Sequence, residues 1–230
     1  MGQLIDLRAH DSFVSEAYLA QPKFKPRAAI VILPEIFGVN KHIRTVADGF
    51  AMAGFLAVTP DTFARLKKGV DLGYTPDDIA QGRSLKNQAE ALPAPGVMAD
   101  VQAAVDHAAQ AAGGLVGMVG YCWGGLLTWR AAAQVSGLNA AVCYYGGGMT
   151  LPEELGRQAR CPVLAHFGNQ DSIIPMDTVE VFRQAQPLVQ VEVYEADHGF
   201  NCDHRSSYNP AAADLALERS LAFFIRHLGD

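Results

Sequence analysis

Residues 115–133 read LVGMVGYCWGGLLTWRAAA. A short apolar run, Leu115–Val119, meets a glycine-punctuated hexapeptide, Gly120-Tyr121-Cys122-Trp123-Gly124-Gly125, and an alanine-rich helical segment, Leu126–Ala133, follows. Strand, tight turn and helix in that order form the unit from which parallel sheets with crossover helices are built. The turn has the G-x-nucleophile-x-G pattern, with Cys122 at its centre. Such a turn forces its central residue into a strained backbone conformation, and the residues two before and two after must be small to avoid collision. Gly120 and Gly124 meet that need. The helix that follows puts the Cys122 sulfur at a helix N-terminus, where the dipole favours a thiolate. The alternative is a buried, unreactive cysteine in a glycine-rich turn.

The alternation continues outward in both directions. Ala28–Leu33 (AAIVIL) is a continuous apolar run with the β-branched character of a buried central strand. Asn40–Ala53 carries Ile43, Val46, Ala47 and Phe50 at helical spacing behind a capping Asn40; Gly54 closes it and Phe55–Thr59 is the next strand. Residues 3–9 and 13–20 alternate apolar and polar around a His10-Asp11 turn, the pattern of an antiparallel hairpin. From Pro60 to Gly96 glycines and prolines break the periodicity, with one short helix over Asp77–Glu90. This stretch reads as an insertion above the sheet. Val97–Ala112 is helical. Further strands fall at Ala140–Tyr145, Val163–Phe167 and Val191–Tyr194. Helices fall at Thr178–Ala185 and Asn209–Leu228, the last with Leu215, Ala222, Ile225 and Leu228 as its apolar stripe. No repeat, low-complexity tract or linker divides the chain, so residues 1–230 are expected to form a single α/β domain, a mostly parallel central sheet with helices on both faces.

Eighteen Lys and Arg against 24 Asp and Glu give a formal net charge of −6. No basic patch is available to neutralise phosphates, so neither nucleic acid nor an anionic membrane is an expected partner. No stretch approaches the roughly 20 consecutive apolar residues of a membrane span. The opening MGQLIDLRAHDS lacks a basic segment followed by an apolar one, which makes a cytoplasmic location the expectation. The four cysteines, Cys122, Cys143, Cys161 and Cys202, form no CxxC pair and no close-spaced framework. A monomer or small homo-oligomer acting on a small molecule fits these bounds.

An acid and a histidine follow Cys122 along the chain. Gly168-Asn169-Gln170-Asp171 comes directly after the strand at 163–167, and Glu195-Ala196-Asp197-His198-Gly199-Phe200 after the strand at 191–194. Loops at the carboxyl edge of one parallel sheet can converge on one crevice. There His198 would take the Cys122 proton and Asp171 would fix the imidazole. Asp171 as a plain turn residue is the alternative, and Asp197 is a lesser rival for the acid because neighbouring side chains point apart. The other histidines, His10, His42, His107, His166, His204 and His227, lie on turns, helices or a strand without evident partners, and surface or packing roles are expected. His198, Cys202 and His204 lack zinc-site spacing and a fourth ligand, so no metal is expected.

Pro34-Glu35-Ile36-Phe37-Gly38-Val39-Asn40, then Gly120 to Gly125, then Asp171, then His198-Gly199-Phe200 together resemble the dienelactone hydrolase family, in order and at compatible spacing over nearly the whole chain. The resemblance implies an α/β-hydrolase fold, a Cys122-His198-Asp171 triad and hydrolysis of a lactone or ester with no cofactor. It also implies that Glu35 pairs with the resting Cys122 thiol and takes its proton when substrate binds; the plainer reading is a carboxylate capping the loop after a buried strand. The backbone N–H of Trp123, the residue after the nucleophile, is one expected oxyanion donor, and the family pattern makes the N–H of Ile36 the second. Arg83, in QGRSLKN, and Arg205, in NCDHRSSYN, fall in the two regions where family members bind a substrate carboxylate with arginines; each reads equally as a solvated surface arginine. The substrate is therefore a small ester or lactone, carboxylated or neutral. Asn87 and Glu90 stand where family members carry aromatic residues, and Cys202-Asp203-His204 before Arg205 departs from the dienelactone-degrading pattern. Other function classes compatible with the sequence are a thioesterase or small peptidase with the same triad, and a non-catalytic binding protein on this scaffold.

Overall fold

Ala29–Leu33 (β3) and Val116–Tyr121 (β5) lie side by side in parallel, in register from Ala29 opposite Val116 to Leu33 opposite Gly120. Every residue of both strands is buried, because helices cover the sheet on both faces, and so both read as unbroken apolar runs. The computed structural model describes residues 2–229 and sets these strands at the middle of an eight-stranded sheet. Beyond β3 come β4 (Leu56–Pro60), β2 (Val14–Ala20) and β1 (Gln3–Arg8); beyond β5 come β6 (Ala140–Tyr144), β7 (Val163–Gly168) and β8 (Gln190–Tyr194). The β1–β2 and β2–β4 pairs are antiparallel, and every pair from β4 to β8 is parallel. Strand order therefore reverses between β3 and β5. At such a reversal the loops leaving the two carboxyl ends diverge and open a crevice, which is where open α/β sheets hold their sites.

Helices α1 (Lys41–Met52) and α7 (Pro210–Leu228) share one face, touching through Phe50 and Phe224 with ring centroids 6.1 Å apart. Helices α3 (Val97–Ala112) and α4 (Trp123–Gln134) meet on the other, and Trp129 of α4 packs edge-on against Phe182 of α6 (Met176–Ala185). Asn40 caps α1 as its sequence suggests, its side chain accepting the Ile43 N–H at 3.2 Å, a contact that typically contributes about 1 kcal/mol. Helix α2 (Pro76–Glu90) starts with a capping box between Thr75 and Asp78 and buries only Gly82, Leu85 and Ala89. Its remaining side chains are left free to face the crevice or solvent.

Two local expectations are corrected. Helix α4 begins at Trp123, not Leu126, so two glycines form part of its first turn. Helix propensity argues against glycine there, but a β-carbon on Gly124 would collide with the Leu33 carbonyl and one on Gly125 with the Gly146 and Tyr144 backbone. Close approach of the helix to the strand ends overrides propensity. Along α7, Leu215, Ala222 and Ile225 face solvent, and of the expected stripe only Leu228 is buried. The buried face is Ala212, Ala216, Ser220, Phe223 and Phe224, where small residues let the helix seat deeply. A short helix α5 (Pro152–Leu155) lies between β6 and β7, in a stretch where the sequence pattern suggests no element.

Ser220 was invisible to a hydropathy reading because it is polar, yet it anchors a buried network. Its Oγ donates to the Ala216 carbonyl at 2.7 Å and meets Tyr144 Oη at 2.7 Å and His166 Nε2 at 3.0 Å. His166 Nδ1 lies 2.8 Å from Tyr194 Oη, so this histidine, expected to lack partners, has two. Burial lowers its pKa from 6.5 to about 3. As pH falls through 6.5 the unfolded chain takes up a proton here, whereas the folded chain does not until about pH 3. Stability should therefore decline on acidification across that window, by up to about 1.4 kcal/mol per pH unit from this residue. His166→Gln is expected to flatten the dependence of unfolding free energy on pH between about 6.5 and about 4, as read by urea denaturation. An unchanged slope would contradict a buried neutral imidazole.

Candidate active site

Cys122 sits at φ 54° and ψ −115°, a conformation that side-chain-bearing residues rarely adopt. The turn is held by main-chain bonds: the Cys122 N–H donates to the Tyr144 carbonyl at 3.0 Å, and the Cys122 carbonyl accepts from Gly125 at 3.0 Å. A β-carbon on Gly120 would overlap the Gly124 carbonyl. The elbow thus closes only with glycine at both flanks, as its sequence spacing requires.

The loops after β7 and β8 bring the other two side chains to the sulfur. They are stitched together by Asn169 N–H to the Tyr194 carbonyl at 2.8 Å and Gln170 N–H to the Ala196 carbonyl at 3.0 Å. Asp171 is buried; its Oδ1 accepts the N–H groups of Ile173 (2.8 Å) and Ile174 (3.1 Å), which fixes the carboxylate. Its Oδ2 lies 2.7 Å from His198 Nδ1, and His198 Nε2 lies 3.1 Å from Cys122 Sγ. Burial alone would lower the His198 pKa, but the neighbouring Cys122 and Asp171 outweigh it and raise it well above the ordinary imidazole range. Asp197 is exposed and its carboxylate accepts the backbone N–H of His198 at 2.6 Å, away from the imidazole. Burial pushes the thiols of Cys161 and Cys202 up to about 11 and that of Cys143 higher still. The arrangement offers one thiol whose proton can pass to an oriented imidazole.

Trp123 is the first residue of α4 and Ile36 lies in the loop after β3. Among the described residues neither backbone N–H has an internal acceptor. Both residues line a cavity of about 550 Å³ that also exposes Cys122 and His198. The same cavity is lined by Arg83 and Lys86 from α2, Arg205 from the loop before α7, and the apolar Leu151, Ile173 and Pro175. Glu35 is buried at 3% exposure, and its Oε1 accepts from Arg205 Nη1 at 3.0 Å. Arg83 is exposed and, among the described residues, has no ion-pair partner. The structure brings Cys122, His198, Asp171, Ile36, Trp123, Arg83 and Arg205 around one crevice, but pairs the Glu35 carboxylate with Arg205 and not, as expected, with the Cys122 thiol, whose partner is His198 Nε2.

Sequence reasoning missed Lys86 and Tyr145. Lys86 lies three residues after Arg83, one turn along the same helical face, and that spacing was the available signal. Tyr145 has φ 36° and packs its ring edge-on to His198 with centroids 5.2 Å apart, a contact between distant loops that has no sequence signature. His198, Cys202 and His204 do not converge. Instead His42, Cys202 and Asp203 each offer a potential ligand atom within 4.8 Å of the others, and His42 Nδ1 is 2.9 Å from Asp203 Oδ1.

No helix among the described residues is long and apolar enough to cross a membrane. The sequence pattern of the dienelactone hydrolase family matches residues 15–228. A carboxymethylenebutenolidase of Pseudomonas putida is 34% identical over 225 residues, covering 95% of this chain and 94% of its own. A carboxymethylenebutenolidase-type protein of Escherichia coli K12 is 34% identical over 231 residues, covering 93% of this chain and 83% of its own. The crystal structure of a dienelactone hydrolase-type protein of Klebsiella pneumoniae has a TM-score of 0.80 at 30% identity, covering 98% of this chain and 99% of its own. The chain belongs to the dienelactone hydrolase family, has its α/β-hydrolase fold, and is a carboxylic ester hydrolase.

Proposed function

We propose that the enzyme, working as a single domain, cleaves small lactones or esters of the dienelactone type with Cys122 as nucleophile, His198 as base and acid, and Asp171 orienting the imidazole. The observation that carries this reading is the unbroken chain from sulfur to imidazole to carboxylate, 3.1 Å and 2.7 Å. In the first half-reaction His198 Nε2 takes the Cys122 proton as the sulfur bonds to the substrate carbonyl carbon. The N–H groups of Trp123 and Ile36 receive the negative oxygen of the tetrahedral intermediate. His198 then returns the proton to the departing alkoxide, leaving a thioester; in a lactone that alkoxide stays tethered. Water, deprotonated by His198, hydrolyses the thioester and frees the acid and the thiol. No step calls on a cofactor.

Glu35 controls the thiol in this reading. Its carboxylate rests on Arg205, and the short span from Glu35 to Ile36 ties any movement of it to the second oxyanion donor. Arg83 and Arg205 receive a substrate carboxylate. Arg205 already carries the Glu35 charge, so the unpaired Arg83 guanidinium bears most of the selection for acidic substrates. Kinetics on matched lactones and esters, one carboxylated and one neutral in each pair, test this. Arg83→Ala is expected to lose about ten- to a hundredfold in kcat/KM on the carboxylated member, equivalent to about 1.5–3 kcal/mol, and to leave the neutral one nearly unchanged. Equal losses on both would remove Arg83 from the substrate site, and failure to turn over any lactone or ester would sink the reading as a whole.

A further inference from the structure

Trp123 combines two features that the mechanism uses only in part. Its backbone N–H belongs to the oxyanion site, and its indole is among the largest fully buried side chains of the protein, 1% exposed. That ring is held on two sides. It stacks on Phe63 with centroids 5.0 Å apart and planes inclined by 14°, and its Nε1–H donates to Glu90 Oε1 at 2.6 Å. Glu90 is the last residue of α2, the helix that lines the substrate cavity with Arg83 and Lys86. Its second oxygen, Oε2, accepts from Arg130 Nη1 at 2.7 Å. Arg130 in turn donates through Nε to Glu154 Oε1 at 2.8 Å, and Glu154, 2% exposed, takes Arg157 Nε at 2.6 Å. A single carboxylate therefore joins the substrate-lining helix to the residue next to the nucleophile.

We propose that Glu90 is a positioning residue: held by Arg130, its carboxylate fixes the Trp123 indole and thereby the angle at which the Trp123 backbone N–H meets the developing oxyanion. The inference rests on the triad reading above. Main-chain bonds hold the elbow at Cys122 and Gly125 on either side of Trp123, but the Trp123 N–H itself has no internal acceptor among the described residues. The aim of that one peptide is therefore left to its side chain, a ring pinned by a stack and a charge-assisted hydrogen bond. Oxyanion stabilisation depends on donors that are already aimed before the charge forms, so a small rotation of the peptide costs rate without costing substrate affinity.

Glu90→Ala, Glu90→Gln, Trp123→Phe and the Glu90→Ala/Trp123→Phe double variant, assayed on a neutral aryl ester, test this. Glu90→Ala is expected to lower kcat roughly ten- to thirtyfold, part of the 10²–10³ that a whole oxyanion donor supplies, with KM within about twofold. Alkylation of Cys122 by iodoacetamide creates no oxyanion, so its rate should stay within about twofold. Glu90→Gln keeps an oxygen for the indole but turns its NH2 toward Arg130, so its kcat should fall between those of Glu90→Ala and the parent. Trp123→Phe keeps the stack but loses the N–H, and should match Glu90→Ala; the double variant should be no worse than either. Native kcat in Glu90→Ala, a Glu90→Gln variant slower than Glu90→Ala, alkylation falling in step with turnover, or multiplicative losses in the double variant would each overturn the proposal. If Glu90→Ala fails to fold, a native kcat in Trp123→Phe overturns it just as directly. Failure of the triad reading is separately visible as a Cys122→Ala variant that still turns over.

Discussion

Cys122→Ala is expected to lower kcat/KM for esters by roughly 10⁴–10⁶ while the melting temperature shifts by only a few degrees. The size follows from the proposed role of Cys122 as nucleophile, whose sulfur lies 3.1 Å from His198 Nε2. Cys143 and Cys202 are buried and Cys161 is half-buried, and burial raises all three thiols. Among the described residues none of the three makes a hydrogen bond to an imidazole, although a His42 ring nitrogen lies within 4.8 Å of the Cys202 sulfur. Fold retention follows from the backbone. The positive φ at residue 122 is imposed by the elbow, and alanine carries the same β-carbon as cysteine, so the strain is unchanged. The residual rate comes from the oxyanion donors and from substrate binding. Steady-state kinetics on purified variant, with contaminating esterase excluded by an inhibitor that spares the parent, read the outcome. Hydrolysis within about tenfold of the parent would mean that another group attacks.

The second large effect concerns the two residues behind the sulfur. His198→Ala should cost roughly 10⁴–10⁶ in kcat, and Asp171→Ala about 10³–10⁴, since the imidazole can still accept a proton when poorly oriented. Once His198 is gone Asp171 has nothing to orient, so the double variant should be scarcely slower than His198→Ala alone. Asp197→Ala leaves the imidazole contact untouched and should change kcat by less than about threefold. Multiplicative losses would show that the two residues act independently. A large loss at Asp197 would mean that the acid had been assigned to the wrong loop.

The side chains of the proposed triad, which the structure brings together, were legible because the constraints on them are local. The elbow needs glycine two positions either side of its centre, and that demand is written in six consecutive letters. Asp171 and His198 each sit a few residues past an apolar run, where a parallel sheet presents its loops, so chain order and strand ends sufficed to pair them with Cys122. The hairpin, β3, α1 and α3 were likewise readable from periodicity and caps. What escaped reading depends on three-dimensional contact. The α7 face turned out to be Ala212, Ala216, Ser220 and the two phenylalanines because a helix packed tightly on a sheet prefers small residues to the most apolar ones. The start of α4 was hidden because Gly124 and Gly125 read as breakers while the strand ends demand them. Glu90 stood where an aromatic was expected, and its contacts with Trp123 and Arg130 join residues 33 and 40 positions apart. The pairing of Glu35 with Arg205 spans 170 positions and leaves no periodic trace.

Rapid quenching of the enzyme with an activated ester, followed by mass spectrometry of the intact chain and of its peptides, tests the role of Cys122 most directly. The expected result is one acyl group per chain, carried as a thioester on the peptide holding Cys122, formed before steady state and absent in Cys122→Ala. Acylation of a different residue, or full turnover with no acyl-enzyme at any quench time, would contradict covalent catalysis by this cysteine.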